Sequence, residues 1–170
     1  MITRYQTLAT RIRVELDELE RTQTAIGRHW ESAMKTPADQ DAYFNSVAFN
    51  LHSLYTGLER IFELIALELD GGALGGESWH AELLRQMTLD LPDARPAVLE
   101  RDTANRLDEY RKFRHRVRNI YATQIDPSRM ESLVKKLPEI WQLVRQELEA
   151  FSAFLEQIAR ADEELPDKEV

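Results

Sequence analysis

The chain has 170 residues, 43% of them hydrophobic and 31% charged, with 30 acidic against 22 basic side chains and a net charge of -8. That length suits one domain that buries a core without staples, and the absence of cysteine excludes disulfides, thiolate metal sites and a cysteine nucleophile. Only 6 glycines and 6 prolines are present and no apolar run reaches membrane length, so the composition predicts an all-α protein suited to a reducing cytoplasm, without a membrane span.

The opening segment MITRYQTLATRIRVELDELE interrupts every apolar run with charge, unlike a signal peptide. Tyr5, Leu8, Ile12, Leu16, Leu19 and Ile26 recur at three- and four-residue steps, which predicts a first helix from near Ile2 to about Met34, ended by Thr36 and Pro37. A second helix is predicted from Asp39 or Asp41 to Leu69, because Phe44, Val47, Leu51, Leu54, Tyr55, Leu58, Ile61, Phe62 and Ile65 form a broad apolar stripe. Gly71, Gly72, Gly75 and Gly76 make a turn, and GESWHAELLRQM offers a short helix from near Ser78, closed by LPDARP. Pro96 fits the first turn of a helix through Ala97, Leu107, Tyr110, Phe113 and Val117 to about Tyr121. IDPS is a turn with Asp126 or Ser128 as cap, and a last helix follows from about Arg129 to Ile158, with Pro138 as a kink or a restart. The pattern predicts an antiparallel four-helix bundle with one short extra helix, in a single domain over 1–160 with a charged, frayed tail over 161–170.

Between Arg111 and Tyr121 the charge reverses: RKFRHRVRNIY holds Arg111, Lys112, Arg114, His115, Arg116 and Arg118. A cation cluster kept in an acidic chain points to an anion, and phosphate is the commonest. At roughly 100° per residue, Leu107, Tyr110, Phe113, Val117, Ile120 and Tyr121 share an apolar arc, with Arg111, Arg114 and Arg118 along one edge and His115 just outside. Guanidinium forks at that spacing suit successive phosphodiester oxygens. The same arginines equally suit ion pairs with Asp or Glu on neighbouring helices, or a solvated face.

Other signals are weaker. His80 in SWHAELL can reach a cleft but reads first as a structural or solvated residue, and His29 and His52 have no partner at metal-ligand spacing. Glu63 and Glu68 flank apolar positions without the E-x-x-H pair of di-iron bundles, so no metal is expected. GGALGG lacks the G-K-[ST] ending of a phosphate loop, and no cofactor is expected either.

The basic segment with its continuation ATQID resembles the R-x(4-6)-H motif region of HEPN domains, and in particular HepT-like proteins, the toxin halves of HEPN/nucleotidyltransferase toxin-antitoxin pairs. LHSLYTGLERIFELIALELDG, SWHAELLRQM, RPAVL and LVKKLPEIW extend the resemblance from about Asn45 to Leu155. It implies a HEPN-like bundle in which the motif arginine and histidine face a dimer cleft and cleave RNA without metal, and in which a tyrosine two positions after the histidine receives AMP from the partner nucleotidyltransferase. On R-x-x-x-x-H-x-Y the chain offers Arg114, Asn119 in place of the histidine, and Tyr121. Asparagine donates hydrogen bonds but relays no proton near pH 7, so the acid-base step falls to His115 or is absent. The resemblance therefore implies a homodimeric ribonuclease toxin neutralised by a nucleotidyltransferase, with Arg111, Arg114 and Arg118 on the phosphate and Arg114, His115 and Asn119 at the catalytic positions. Its alternative is a catalytically reduced member that binds RNA or the partner without cleaving.

Overall fold

The protein is described by a computed structural model over residues 2–72, 74–119 and 125–164. These residues form α1 (Ile2–Lys35), a 3-10 turn (Pro37–Asp39), α2 (Gln40–Leu69), α3 (Trp79–Gln86), α4 (Arg101–Val117) and α5 (Pro127–Glu164). Among the described residues the only strand-like pairing is an isolated bridge between Leu91 and Arg95. The all-α bundle with one short extra helix is thus the observed architecture.

Each long helix buries the stripe that its periodicity announces. Leu8, Ile12, Leu16, Leu19 and Ile26 of α1 meet Val47, Leu51, Leu54, Leu58, Ile61 and Ile65 of α2 and Leu137, Trp141, Val144, Leu148 and Leu155 of α5 in one continuous core. The contacts between helices run in opposite senses along each neighbouring pair. Arg4 pairs with Glu68 and Arg60 with Glu15 across α1 and α2, while Arg13 pairs with Glu149 and Arg145 with Asp17 across α1 and α5. At Gly57 of α2 an added Cβ would run into the Leu19 side chain of α1. At the end of α2, Ala66 accepts hydrogen bonds from Asp70 and Gly72 as the chain turns away through Gly71 at φ 89°.

Three boundaries depart from the sequence reading. α4 starts at Arg101, not at Pro96, because residues 96–100 are held as a non-helical segment bent at Val98 and Leu99: both are buried and donate their backbone N–H to the Met87 carbonyl, at 2.8 and 3.0 Å. The start of α4 is stabilised from α5, where Glu147 accepts the Glu100 N–H at 3.0 Å and the Thr103 hydroxyl at 2.6 Å, an anion placed at the positive end of a helix. α5 begins at Pro127, with Asp126 accepting the Ser128 N–H at 2.9 Å as its cap, and continues through Pro138 to Glu164. It therefore enters the segment expected to be tail. α4 ends at Val117, and Tyr121, expected at its last turn, lies outside the described residues.

Candidate functional site

The basic segment of α4 does not present its arginines as one open row. Arg114 is only 4% exposed, although its neighbours His115, Arg116 and Arg118 are exposed. Its guanidinium donates to both oxygens of Glu59 on α2, Nη1 to Oε1 at 2.8 Å and Nη2 to Oε2 at 2.9 Å, and Nη1 approaches the Thr56 hydroxyl at 3.4 Å. The guanidinium carbon also lies over the Tyr55 ring, 4.9 Å from its centroid, and Nε is buried without a hydrogen-bond partner. Arg114 is thus buried against Glu59 and is not presented openly along the helix edge with Arg118. A helical wheel places it at the edge of the apolar arc, and the packing of α2 and α3 extends the buried surface over that edge.

Glu59 is the residue that the sequence reading passed over. It lies on the apolar stripe of α2 between Tyr55 and Phe62 at helical spacing and is 6% exposed. An acid in that position signals a buried cation partner, because an uncompensated carboxylate there costs several kcal/mol. Glu59 also gathers α3 into the site: His80 Nδ1 lies 2.8 Å from Glu59 Oε2 and 3.1 Å from Arg114 Nη2, and the His80 ring is stacked on Trp79 with centroids 3.7 Å apart. Glu59, His80 and Arg114 thus come together from three helices. His80, a weak signal by sequence, sits at the centre.

The remaining motif residues divide into two groups. Arg111 donates Nε to Asp108 Oδ1 at 2.6 Å, and Lys112 lies 3.0 Å from Asp108 Oδ2. Burial pushes the Asp108 carboxyl up, but the hydrogen bonds from Arg111 and Lys112 outweigh it and hold the group below its ordinary value. Asn119 uses its side-chain amide to donate to the His115 carbonyl at 2.8 Å, closing the last turn of α4. Arg118 and His115 are exposed without an ion-pair partner among the described residues. Across from them His52 of α2 is held below its ordinary pKa, first by burial and then by the positive charges of Arg114 and Arg118. Both helices therefore contribute to one polar face.

Two grooves flank α4. The one between α3 and α4, about 680 Å³, is lined by Arg85, Arg101, Arg111 and Lys112 with Asp108 as its one carboxylate, and it opens beside His80 at Ala81. The other, about 590 Å³, lies between α4 and α5 over Tyr110, Phe113, Leu133 and Ile140, and Arg106, Lys112, Arg116, Arg129 and Lys136 line it against Glu109 and Glu139. Tyr110 fixes that second pair of helices by donating its buried hydroxyl to the Leu133 carbonyl at 2.7 Å. Neither groove is lined by Glu59, His80 or Arg114, and the first reaches α3 at Ala81, the residue next to His80 in sequence.

Among the described residues no group of three or more His, Asp or Glu side chains is arranged to hold a metal ion, and no helix is long and apolar enough to cross a membrane. A family model described as "HepT-like protein" matches residues 46–155, which takes in α3 and α4, nearly all of α2 and most of α5. No curated protein and no solved structure matches the chain.

Proposed function

Because the chain belongs to the HepT-like family of HEPN proteins, we propose that it is the toxin-type half of a toxin-antitoxin pair: a cytoplasmic, metal-independent RNA endonuclease neutralised by a cognate nucleotidyltransferase. The observation that carries this reading is the cationic face of α4, where Arg111 lines a groove rich in arginine and Arg118 stands open beyond the buried Glu59 and Arg114 pair. Phosphate contacts then fall to Arg118, Arg111, Arg85 and Arg101, while Arg114 holds the site together. A second reading, binding of RNA or of the partner without cleavage, is favoured by Asn119, whose amide is spent on the His115 carbonyl and which cannot relay a proton.

The functional form is a homodimer. Phe49 is 69% exposed on α2, one turn before His52 and two turns before Thr56, so an apolar contact between copies at Phe49 brings two polar faces into one cleft. Light scattering that finds a monomer at micromolar concentration removes the composite cleft.

Single-stranded RNA binding measured over a range of salt tests the phosphate assignment. Arg118→Ala is expected to weaken binding and to reduce the slope of log K against log salt by about 0.7, one phosphate contact, without changing the melting temperature. Arg116→Ala, on the side of the α4–α5 groove, is expected to change neither. Equal losses in the two variants indicate a diffuse charge effect and refute a specific track. Cleavage of the same RNA in EDTA by the wild-type chain separates the endonuclease from the binding module.

Tyr121 is the proposed acceptor of AMP from the nucleotidyltransferase partner, since it alone occupies the tyrosine position of the motif. An added AMP phosphate three positions from Arg118 would compete with RNA for the same cations. Intact mass after incubation with the partner, ATP and magnesium is expected to show adenylyl additions that vanish in Tyr121→Phe. Additions that persist in that variant place the acceptor elsewhere.

A further inference from the structure

His80 is fixed by contacts that do nothing to close the core. Its Nδ1 lies 2.8 Å from Glu59 Oε2, and its ring is stacked against Trp79 at 3.7 Å between centroids and 30° between planes. An unprotonated Nδ1 would set a lone pair against a carboxylate oxygen at that distance, so Nδ1 carries the proton and donates it to Glu59. Arg114 Nη2 lies 3.1 Å from the same nitrogen and donates to Glu59 Oε2 at 2.9 Å, so the guanidinium and the imidazole converge on one carboxylate oxygen. Nε2 is left with its lone pair. It makes no hydrogen bond to protein among the described residues and is not buried without a partner, and the side chain keeps 27% of its surface open.

This is the arrangement that a general base requires: a carboxylate fixes tautomer and ring orientation through one nitrogen, and the other nitrogen faces outward. His115 lacks these supports, since it is exposed and its ring has no carboxylate partner among the described residues. A positioned group is worth far more than a mobile one of the same chemistry. We infer that His80 is the acid-base residue of this protein, with Glu59 as its positioning residue and Arg114 as the cation whose fork holds Glu59 in place. The inference deepens the endonuclease reading above and rests on it.

In the step so assigned, His80 Nε2 takes the proton of a ribose 2'-hydroxyl as the 2'-oxygen bonds to the adjacent phosphorus. The bond from phosphorus to the 5'-oxygen of the next nucleotide breaks, and the imidazolium returns the proton to that leaving oxygen. The products are a 2',3'-cyclic phosphate and a 5'-hydroxyl. No metal ion or further reactant enters the balance, and the role left vacant by Asn119 is filled from α3.

The test uses the full chain, a 5'-labelled single-stranded RNA and EDTA. Wild-type protein is expected to release fragments ending in 2',3'-cyclic phosphate. His80→Ala is expected to lower the cleavage rate by about 10²- to 10⁴-fold while RNA affinity and melting temperature hold, and added imidazole is expected to restore part of the rate. His29→Ala, whose ring contacts Ser46 away from the site, serves as the control with unchanged cleavage. Undiminished cleavage by His80→Ala overturns the inference, and so does loss of cleavage on removal of His115 with His80 intact. A wild-type chain that binds RNA without cleaving it overturns the role of His80 and leaves the binding module. Failure to bind RNA at all defeats the functional reading as a whole.

Discussion

Arg95→Ala is expected to cost about 3–5 kcal/mol of folding stability, the usual result of stripping one partner from a buried ion pair. For a domain of this size that is a fall in melting temperature of roughly 6–20 °C. Arg95 and Asp70 have side chains 0% and 2% exposed. Their contact is a fork, Nε to Oδ1 and Nη2 to Oδ2, both at 2.6 Å. The spare donors of Arg95 reach the Leu89, Pro96 and Gln86 carbonyls, and Gln86 itself donates to Asp70 Oδ2 at 2.6 Å. One guanidinium thus ties the end of α2, the end of α3 and the segment leading into α4. Arg95→Lys should recover only a small part of the loss, because an ammonium cannot reproduce the fork or satisfy the three carbonyls. Thermal unfolding of the two variants checks both statements, and a change under about 1 kcal/mol in Arg95→Ala would show that water replaces the network.

Arg114→Ala is expected to be the second most damaging change, at about 3 kcal/mol, because it leaves Glu59 buried with His80 as its one remaining side-chain partner among the described residues. A paired replacement distinguishes fold from function. Glu59→Leu with Arg114→Met removes both charges and fills similar volume, and such swaps are commonly neutral or stabilising. The double variant should therefore melt near the wild-type temperature, yet it should lose RNA cleavage, since no carboxylate then holds Nδ1 of His80. Recovered stability with cleavage intact would reduce the pair to a structural device. Loss of stability in the double variant as large as in Arg114→Ala would mean that the site cannot repack around apolar side chains.

Much of the bundle was legible before any coordinates. The 3.6-residue period in α1, α2 and α5 is a local property of the chain, and a helix that buries one stripe declares that stripe through its spacing. Leu133, Val134, Leu137, Ile140, Trp141, Val144, Leu148, Phe151 and Leu155 are all buried, as the period requires. The start of α4 was not legible. Pro96 is a permitted first-turn residue, but the choice against helix at 96–100 is made by the Met87 carbonyl and by Glu147, which lie outside that segment.

The site shows the same division more sharply. Sequence by itself determined that α4 carries a dense run of cations in an acidic chain, that Asn119 stands where the motif has histidine, and that the family is HepT-like. Those are statements about residue type and order. Only the tertiary structure decided which cation is buried. Arg111, Arg114 and Arg118 are alike on a helical wheel, and Arg114 alone meets a carboxylate 55 positions away on α2 and an imidazole 34 positions away on α3. Ion pairs and proton-bearing centres form between side chains brought within about 3 Å by packing, and that proximity depends on how α2, α3 and α4 close on one another, which no single stretch of sequence contains.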